Sequence, residues 1–465
     1  MGKEKKSYYS TNFLQGPVLS KGVSWVTFAE ALLMGQAPDE GLFMPESGSI
    51  PLLNMLDIMK LKSAPYFESA MLVMEKFLDE EIPKDDLCQI VEASYPFDVP
   101  LERLHGTRRY VMRLDQGPTA SFKDFGARLM ARLMSYFRKE GQRLNVLVAT
   151  SGDTGSAVGE AFKGVEGVDV YILYPQKEVS GRQKKQLDTI GGNIIAIAVD
   201  GKFDDCQDMV KVAFTDPDFA EYNLTSANSI NIGRILPQII YYVYAYAQLA
   251  KPGESIVFSV PSGNFGNAFA CEIARRIGVP VEMLIMAVNE NDEFPLFLET
   301  GIYKKLSPSK ACLSNAMNVG HPSNLARFFE LYGGTVDRKG VVWKTPDVEE
   351  MRKYIFSISI TDADTKKCIQ RAWNEYGLLL EPHGAVGWEA LERYIKEYRV
   401  SPLCVSLETA HPAKFPEEII ELLGFEPELP ESMRGIDKRQ GEPVQLAGGY
   451  KEFKEFLIEN LKKEV

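Results

Sequence analysis

Short β-branched runs alternate with helical stretches from about Tyr110 to the later part of this 465-residue chain. The runs lie at residues 145–150, 168–174, 193–199, 255–260, 282–288 and 403–409. Parallel strands need a long crossover, usually a helix, between one strand and the next, so this rhythm predicts a parallel, doubly wound α/β fold. The chain has no internal repeats or low-complexity tracts, which is typical of a metabolic enzyme and not of a scaffold.

The chain is longer than one compact core usually serves, so we expect several domains or subdomains. Residues 1–100 contain amphipathic runs at 24–34 and 64–78 and are predicted to form an N-terminal helical extension. Residues 101–425 carry the α/β rhythm and are predicted to form the main region. Residues 426–465 are polar and proline-rich and end in a predicted helix at 451–463. We expect them to form a tail packed on the body.

The formal net charge is -12, from 64 acidic and 52 basic residues, which argues against nucleic acid as a partner. An anionic small substrate would therefore need a local basic pocket. The charged start of the chain does not resemble a signal peptide, and the apolar stretch at 239–250 is typical of a buried helix and not of a membrane span. The six scattered cysteines form no CxxC pair, so we expect a reducing, cytoplasmic compartment.

The sequence predicts no metal site. The four histidines are dispersed, mostly in loops that contain proline or glycine, and ordinary hydrogen bonding is the favoured interpretation for each. They are His105, His321, His383 and His411.

Two segments have a strand, a glycine-containing loop and a helix in succession. The first loop is 151–156 (SGDTGS), before a helix expected from Ala157, and the second is 261–267 (PSGNFGN), before a helix expected from Ala268. Each would present backbone N–H groups at a helix N-terminus, where an anion is stabilised. A purely structural capped turn stays open as the alternative for each loop. Neither loop matches the P-loop or the GxGxxG dinucleotide motif.

Lys123 lies in the segment GPTASFKDFG, between two aromatic residues at the start of a predicted helix. Partial burial and a positive helix dipole both favour the neutral, nucleophilic amine. The alternative is an ordinary solvated lysine. The DFG tripeptide at 124–126 does not indicate a kinase, because no HRD loop or glycine-rich strand pair precedes it.

Seven ordered motifs make a family resemblance specific. They are SFKDFGAR, TSGDTGSAV, ANSINIGRILPQ, PSGNFGN, LSNAMNVGHPSN, EPHGAVG and ETAHPAKFP. In this order they resemble the threonine synthases of the longer bacterial and fungal kind. The N-terminal YYSTN and FAEALLMGQAPDEGLFMPE also look like that family's opening, so the likeness spans the chain to about Phe425.

The resemblance implies a fold type II pyridoxal-phosphate enzyme with the cofactor between two doubly wound α/β lobes. Lys123 would hold pyridoxal 5'-phosphate as a Schiff base, and Thr409 would face the pyridine nitrogen with a neutral hydroxyl. The remaining implied cofactor contacts are Gly263, Asn264, Phe265, Gly266 and Asn267. The implied substrate contacts are Ser151, Gly152, Asp153 and Thr154 for a carboxylate, and Ser229, Asn231 and Arg234 for a phosphate.

One position departs from the wider fold type, whose members often carry Asn where Asp153 stands and use its amide at the cofactor's phenolate oxygen. An ionised Asp153 would repel that oxygen. The sequence leaves three solutions open: Asp153 caps the following helix, or it is protonated, or another group meets the phenolate.

The implied reaction converts O-phospho-L-homoserine and water to L-threonine and phosphate, the last step of threonine biosynthesis. One alternative is a pyridoxal-phosphate phospho-lyase or dehydratase that releases 2-oxobutyrate. Another is a catalytically silent α/β ligand-binding protein in which Lys123 and both loops are structural. The sequence leaves open whether the chain is a monomer or a homodimer.

Overall fold

The computed structural model of the chain describes residues 8–12 and 25–462. The predicted helix at 24–34 therefore starts one residue outside the described ranges, and the charged start at 1–7 also lies outside them. The described strands are β1 (Tyr8–Ser10), β2 (Phe43–Pro45), β3 (Leu101–Arg103), β4 (Arg109–Arg113), β5 (Leu144–Ala149), β6 (Val168–Pro175), β7 (Ile194–Val199), β8 (Leu224–Ser226), β9 (Ile256–Pro261), β10 (Val281–Val288), β11 (Thr335–Val336), β12 (Val342–Lys344), β13 (Ile355–Ser359), β14 (Leu403–Glu408) and β15 (Val444–Leu446).

Helices connect most of these strands. They are α1 (Phe28–Met34), α2 (Met55–Lys60), α3 (Tyr66–Leu78), α4 (Lys84–Ser94), α5 (Lys123–Phe137), α6 (Asp153–Phe162), α7 (Gly181–Asp188), α8 (Phe203–Thr215), α9 (Leu236–Leu249), α10 (Gly266–Arg276), α11 (Glu293–Thr300), α12 (Leu325–Leu331), α13 (Val348–Tyr354), α14 (Asp362–Tyr376), α15 (Pro382–Tyr398), α16 (Pro416–Leu423) and α17 (Tyr450–Lys462). Short 3₁₀ segments include Ile232–Arg234 and Pro412–Lys414.

Two parallel sheets form the two lobes. The first has five strands in the order β15-β7-β6-β5-β8, all parallel. The second has six strands in the order β13-β10-β9-β14-β4-β3, and only the edge strand β3 is antiparallel to its neighbour. Strands β5, β6, β9 and β14 are buried along their whole length, as expected where helices cover both faces of a parallel sheet. The predicted α/β fold of two parallel lobes is confirmed.

The N-terminal part packs against the lobes as a helical module closed by one small sheet. β1 and β2 pair antiparallel, with Tyr8 opposite Pro45 and Ser10 opposite Phe43. α1 begins at a capping box in which Thr27 and Glu30 satisfy each other's backbone N–H groups. α3 packs on α9 and α1 on α5, so the module lies directly on the helices that follow the site loops.

All six predicted strands are confirmed, and the apolar stretch at 239–250 falls within the buried helix α9. No helix among the described residues is both long and apolar enough to cross a bilayer. The C-terminal tail was expected only to pack on the body, but β15 pairs with β7 and extends the five-stranded sheet. The domain boundaries at 100 and 425 stay a prediction. One cluster of buried apolar side chains runs from the N-terminal module through both lobes.

Candidate active site

A cavity open to solvent, with about 870 Å³ of empty space including its mouth, lies between the two lobes, outside the carboxyl ends of β5, β9 and β14. Ligands of parallel α/β sheets bind at this edge because the loops that follow neighbouring strands meet there. Twelve of the predicted site residues line the cavity: Lys123, Ser151, Asp153, Thr154, Ser229, Arg234, Gly263, Asn264, Phe265, Gly266, Asn267 and Thr409. Gly152 and Asn231 do not.

Lys123 is the first residue of α5, and its side chain is 14% exposed. The Nζ atom lies 4.8 Å from the centre of the Phe122 ring and 3.8 Å from Oδ2 of Asp153. Burial lowers the pKa of Lys123, and nearby Lys414 and Arg234 lower it further, while Asp153 acts in the opposite direction. The environment of Lys123 therefore favours the neutral amine more than a solvent-exposed environment would.

Thr409 is brought beside Lys123 by backbone pairing between the two loops. The N–H of Phe122 donates to the carbonyl of Thr409 (2.9 Å), and the N–H of His411 donates to the carbonyl of Ala120 (3.0 Å). The Thr409 hydroxyl donates to Oε1 of the buried Glu381 (3.4 Å). The two segments are 286 residues apart in the sequence yet share one cavity wall.

The loop before α10 forms an anion cradle. The N–H groups of Gly263, Asn264 and Phe265 donate to no other described residue, and α10 begins at Gly266. Gly263 is required because a Cβ there would lie 2.7 Å from the carbonyl oxygen of Ala316. Phe265 has φ +63°, a conformation that strains a residue with a side chain and that is typically retained at functional sites. These features fit a phosphate held by backbone N–H groups.

Asn267 offers the same loop one further donor. Its Oδ1 accepts hydrogen bonds from the hydroxyls of Tyr241 (2.6 Å) and Tyr242 (2.5 Å). This arrangement fixes the amide so that Nδ2 is its remaining polar atom. That nitrogen is buried and has no partner among the described residues. A buried donor without a partner at a cavity wall fits a ligand oxygen.

The loop after β5 is shorter than predicted, because α6 begins at Asp153 and not at Ala157. Gly152 has φ +128°, and a Cβ there would lie 2.6 Å from the Gln183 side chain. Its N–H and that of Gly155 both donate to Oγ1 of Thr150 (2.9 Å each). Gly152 therefore shapes the turn, while Ser151 and Thr154 reach the cavity.

Asp153 is ionised, because a second buried lysine stands against it. Nζ of Lys414 lies 2.7 Å from Oδ1 of Asp153, and Nε2 of Gln183 donates to the same oxygen (2.8 Å). Burial alone would raise the pKa of Asp153, but Lys414 and Lys123 outweigh burial and hold the pKa well below its usual range. Of the three solutions left open by the sequence, the ion pair with Lys414 argues against protonation, and Gly152, not Asp153, is the residue that caps α6.

Arg234 presents a positive charge to the cavity without a direct ion pair, and Asp124 is the one carboxylate that raises its pKa among the described residues. The residue is 3% exposed, and its Nη1 donates to the carbonyl of Ala227 (2.7 Å). Its Nε has no partner, and no carboxylate among the described residues forms an ion pair with it. Burial lowers the pKa of Arg234 to about 10, so the guanidinium stays charged at neutral pH. Such a group fits an anionic ligand, because an unpaired buried charge is otherwise destabilising.

The segment that carries Ser229 is anchored by a second buried arginine. Arg327 donates to the carbonyls of Phe43, Ser229 and Ile230 and to the side chain of Asn324. The Nδ2 atom of Asn324 donates in turn to the hydroxyl of Ser229 (3.2 Å) and to the carbonyl of Asn264 (2.9 Å). The phosphate cradle and the Ser229 segment are thus fixed to each other and to the N-terminal module.

The expectation that Asn231 contacts a substrate phosphate needs correction. The Asn231 side chain is fully buried away from the cavity. Its Nδ2 donates to the carbonyls of Leu32 (2.8 Å) and Ser226 (2.9 Å), and its Oδ1 accepts from the N–H of Gly233 (2.9 Å). All of its polar atoms are engaged in holding the turn that carries Arg234.

Sequence reasoning missed several residues in and around the cavity, and two of them, Lys414 and His383, carry ionisable side chains. Lys414 lies within the quoted motif ETAHPAKFP, but nothing in the sequence shows that its amine reaches Asp153. His383 lines the cavity, where its Nε2 accepts from the N–H of Ala316 (3.1 Å) and its Nδ1 therefore donates to Glu381 (2.5 Å). Both ring nitrogens are engaged, which agrees with an ordinary hydrogen-bonding role. Among the described residues, no cluster of three or more His, Cys, Asp or Glu could hold a metal ion.

Comparison with known proteins agrees with this site. The family model described as pyridoxal-phosphate dependent enzyme matches residues 96–407. The models for the threonine synthase N terminus and C-terminal region match residues 19–95 and 384–457. Threonine synthase from Haemophilus influenzae is 39% identical over 440 residues, which cover 94% of this chain and 97% of the relative.

Solved structures of threonine synthases also match this chain over nearly its whole length. The structure of pyridoxal-phosphate-bound threonine synthase from Brucella melitensis matches with a TM-score of 0.86 and 33% identity, over 97% of this chain and 98% of the other. Threonine synthase from Escherichia coli matches with a TM-score of 0.84 and 34% identity, over 98% of this chain and 100% of the other. The chain therefore belongs to the threonine synthase family of pyridoxal-phosphate-dependent enzymes.

Proposed function

We propose that this enzyme converts O-phospho-L-homoserine and water to L-threonine and phosphate, with Lys123 as the residue that carries the cofactor and moves protons. The observation that carries the proposal is the buried guanidinium of Arg234, which lines the same cavity as Lys123, has an unpartnered Nε and forms no ion pair with a described carboxylate. A substrate phosphate would supply the missing negative charge.

The site offers three separate places for negative charge, which match the cofactor phosphate and the two anionic ends of the substrate. The N–H groups of Gly263 to Gly266 suit the cofactor phosphate, with Asn267 as a further donor. Ser151 and Thr154 at the start of α6 suit the substrate carboxylate. Ser229 and Arg234 suit the substrate phosphate.

The bound cofactor supplies an electron sink for the charge left when the proton on the substrate α-carbon is removed. Lys123 is the base placed to take this proton, since its ammonium form is disfavoured by burial. Arg234 and Ser229 hold the phosphate group in one orientation until it leaves from Cγ. The Thr409 hydroxyl, held by Glu381, offers a neutral contact to the ring nitrogen.

The test is incubation of the purified enzyme with O-phospho-L-homoserine while phosphate and threonine are measured together. Equal release of both supports the proposal. Phosphate released with 2-oxobutyrate and no threonine would instead establish the phospho-lyase reaction. A preparation that stays colourless with added pyridoxal phosphate, with neither product formed, would contradict both.

We further propose a cytoplasmic location with no nucleic-acid partner. The six cysteines form no disulfide among the described residues, and the net charge is -12. Cell fractionation tests the first statement, and a binding assay with DNA and RNA at low salt tests the second.

A further inference from the structure

Lys414 is a lysine without solvent exposure that no part of the proposed reaction uses. It ends the 3₁₀ segment Pro412–Lys414, just after β14. Its Nζ donates to the carbonyl of Thr119 (2.8 Å) and pairs with Oδ1 of Asp153 (2.7 Å). A buried ammonium group is strongly unfavourable unless it is paired, so the charged form of Lys414 at this position depends on Asp153.

The backbone around Lys414 is fixed from the opposite lobe. The hydroxyl of Ser180 donates to the carbonyl of Lys414 (3.1 Å), and Nη1 of Arg182 donates to the carbonyl of Ala413 (2.8 Å). Lys414 is not among the residues that line the cavity. The amine therefore acts on the site through Asp153 and not by direct contact with a ligand.

Asp153 stands between two lysines and is shared unequally. Its Oδ1 is 2.7 Å from Lys414, whereas its Oδ2 is 3.8 Å from Lys123. Besides Asp153, the charged groups that act on Lys123 are Lys414 and Arg234, which disfavour its ammonium form, and Glu381, which favours it. One carboxylate cannot neutralise two ammonium groups, and the closer contact is with Lys414.

We propose that Lys414 is a positioning residue that neutralises Asp153 and so leaves the amine of Lys123 free to react. Without Lys414, the full charge of Asp153 would act on Lys123 and stabilise its ammonium form, which is neither a base nor a nucleophile. The measured quantity that should change is the pH at which Lys123 becomes reactive. The inference rests on the proposed role of Lys123.

The experiment uses the full chain freed of cofactor and pyridoxal as the probe, because pyridoxal lacks the phosphate that would engage the cradle at 263–266. The rate of covalent capture is followed from pH 6 to pH 10. The product is trapped with borohydride and located by peptide mass. The variants are Lys414→Met, Lys414→Arg, Asp153→Asn and the double variant of Lys414→Met with Asp153→Asn.

Lys414→Met should raise the midpoint pH of capture by at least about one unit, which lowers the rate at neutral pH roughly tenfold. Lys414→Arg, which keeps the charge, should stay near the wild type. Asp153→Asn should lower the midpoint, because Lys414 then acts on Lys123 without compensation. Adding Lys414→Met to Asp153→Asn should bring the midpoint back up. If Lys414→Met alone does not fold, the effect of removing Lys414 is read from the comparison of Asp153→Asn with the double variant.

An unchanged midpoint in Lys414→Met overturns the inference. It is also overturned if Asp153→Asn leaves the midpoint in place, or if adding Lys414→Met to Asp153→Asn does not raise it. Wild-type label on a different lysine would refute the proposed role of Lys123 and not the inference on Lys414.

Discussion

Replacing Arg234 with Met should remove phosphate recognition while leaving the fold and cofactor binding in place. Met keeps much of the length of the side chain but loses the charge and the donors. One charge-assisted hydrogen bond contributes about 1.5–3 kcal/mol, so kcat/KM for O-phospho-L-homoserine should fall by roughly 12- to 160-fold. Among the described residues, the bond to the carbonyl of Ala227 is the side-chain hydrogen bond that Arg234→Met removes.

Thermal unfolding gives a second test of the role assigned to the Arg234 charge. Arg234 has no acidic partner among the described residues, so Arg234→Met should unfold at the same temperature as the wild type or a higher one. With the cofactor bound and the cradle therefore filled, inorganic phosphate should raise the Tm of the wild type, since a ligand at 100 times its Kd stabilises by about 2.7 kcal/mol. The variant should lose this gain.

The assay combines phosphate release, cofactor affinity and thermal unfolding on one set of purified proteins. Arg143→Gln is the matched control, because Arg143 precedes β5 at the end remote from the cavity and pairs with Asp169 (2.7 Å). It changes the net charge equally. The reasoning is refuted if kcat/KM of Arg234→Met matches that of the control, or if cofactor affinity falls as far as kcat/KM does.

Asn264→Asp should weaken pyridoxal-phosphate binding at least about tenfold, because it places a negative charge next to the cofactor phosphate. The effect on folding should be small, because Oδ1 can still accept from the N–H of Ser323. Equilibrium titration with the cofactor checks this, and unchanged affinity would remove Asn264 from the site. Thr409→Ser should keep most activity and the wild-type absorbance of the bound cofactor, whereas Thr409→Val should shift that absorbance. Identical spectra in the wild type, Thr409→Ser and Thr409→Val would show that the hydroxyl does not face the ring. Burial raises the pKa of Glu293 to about 8, so the folded state keeps a proton that the unfolded state releases near pH 4.5, and stability falls as pH rises between these values. Glu293→Gln should remove this loss, which amounts to roughly 3–4 kcal/mol between pH 5 and pH 8. Equal pH dependence in both proteins, measured by denaturant unfolding, would contradict the assignment.

Features set by local pattern were predictable from the sequence. The buried strands are continuous apolar runs, and the helix that starts at Lys123 follows directly from its segment. The cradle before α10 was identified because glycine, an anion-stabilising helix start and a preceding strand all lie within a few residues of one another. The resemblance then gave Thr409 as a partner of the same cavity, although no local signal joins it to Lys123.

Features set by tertiary contacts were not predictable. Lys414 has an ordinary sequence context, and only the fold shows that its amine is enclosed with Asp153. Asn231 lies three residues before Arg234, yet its amide faces the N-terminal module, because the 3₁₀ turn points the two side chains in different directions. β15 has only three residues, too few for a periodic signal, and it forms because the edge of β7 is available.

The bonds from Arg327 to the carbonyl of Phe43 make the N-terminal module part of the active site. A shortened protein that started at the boundary of the pyridoxal-phosphate region, near residue 96, would keep Lys123, the cradle and Arg234 in sequence. It would leave the buried guanidinium of Arg327 without the carbonyl of Phe43, which accepts two of its hydrogen bonds, and the amide of Asn231 without the carbonyl of Leu32. We therefore expect the smallest fragment that can bind substrate to include the segment from α1 to β2, so trimming for crystallisation or display should begin elsewhere.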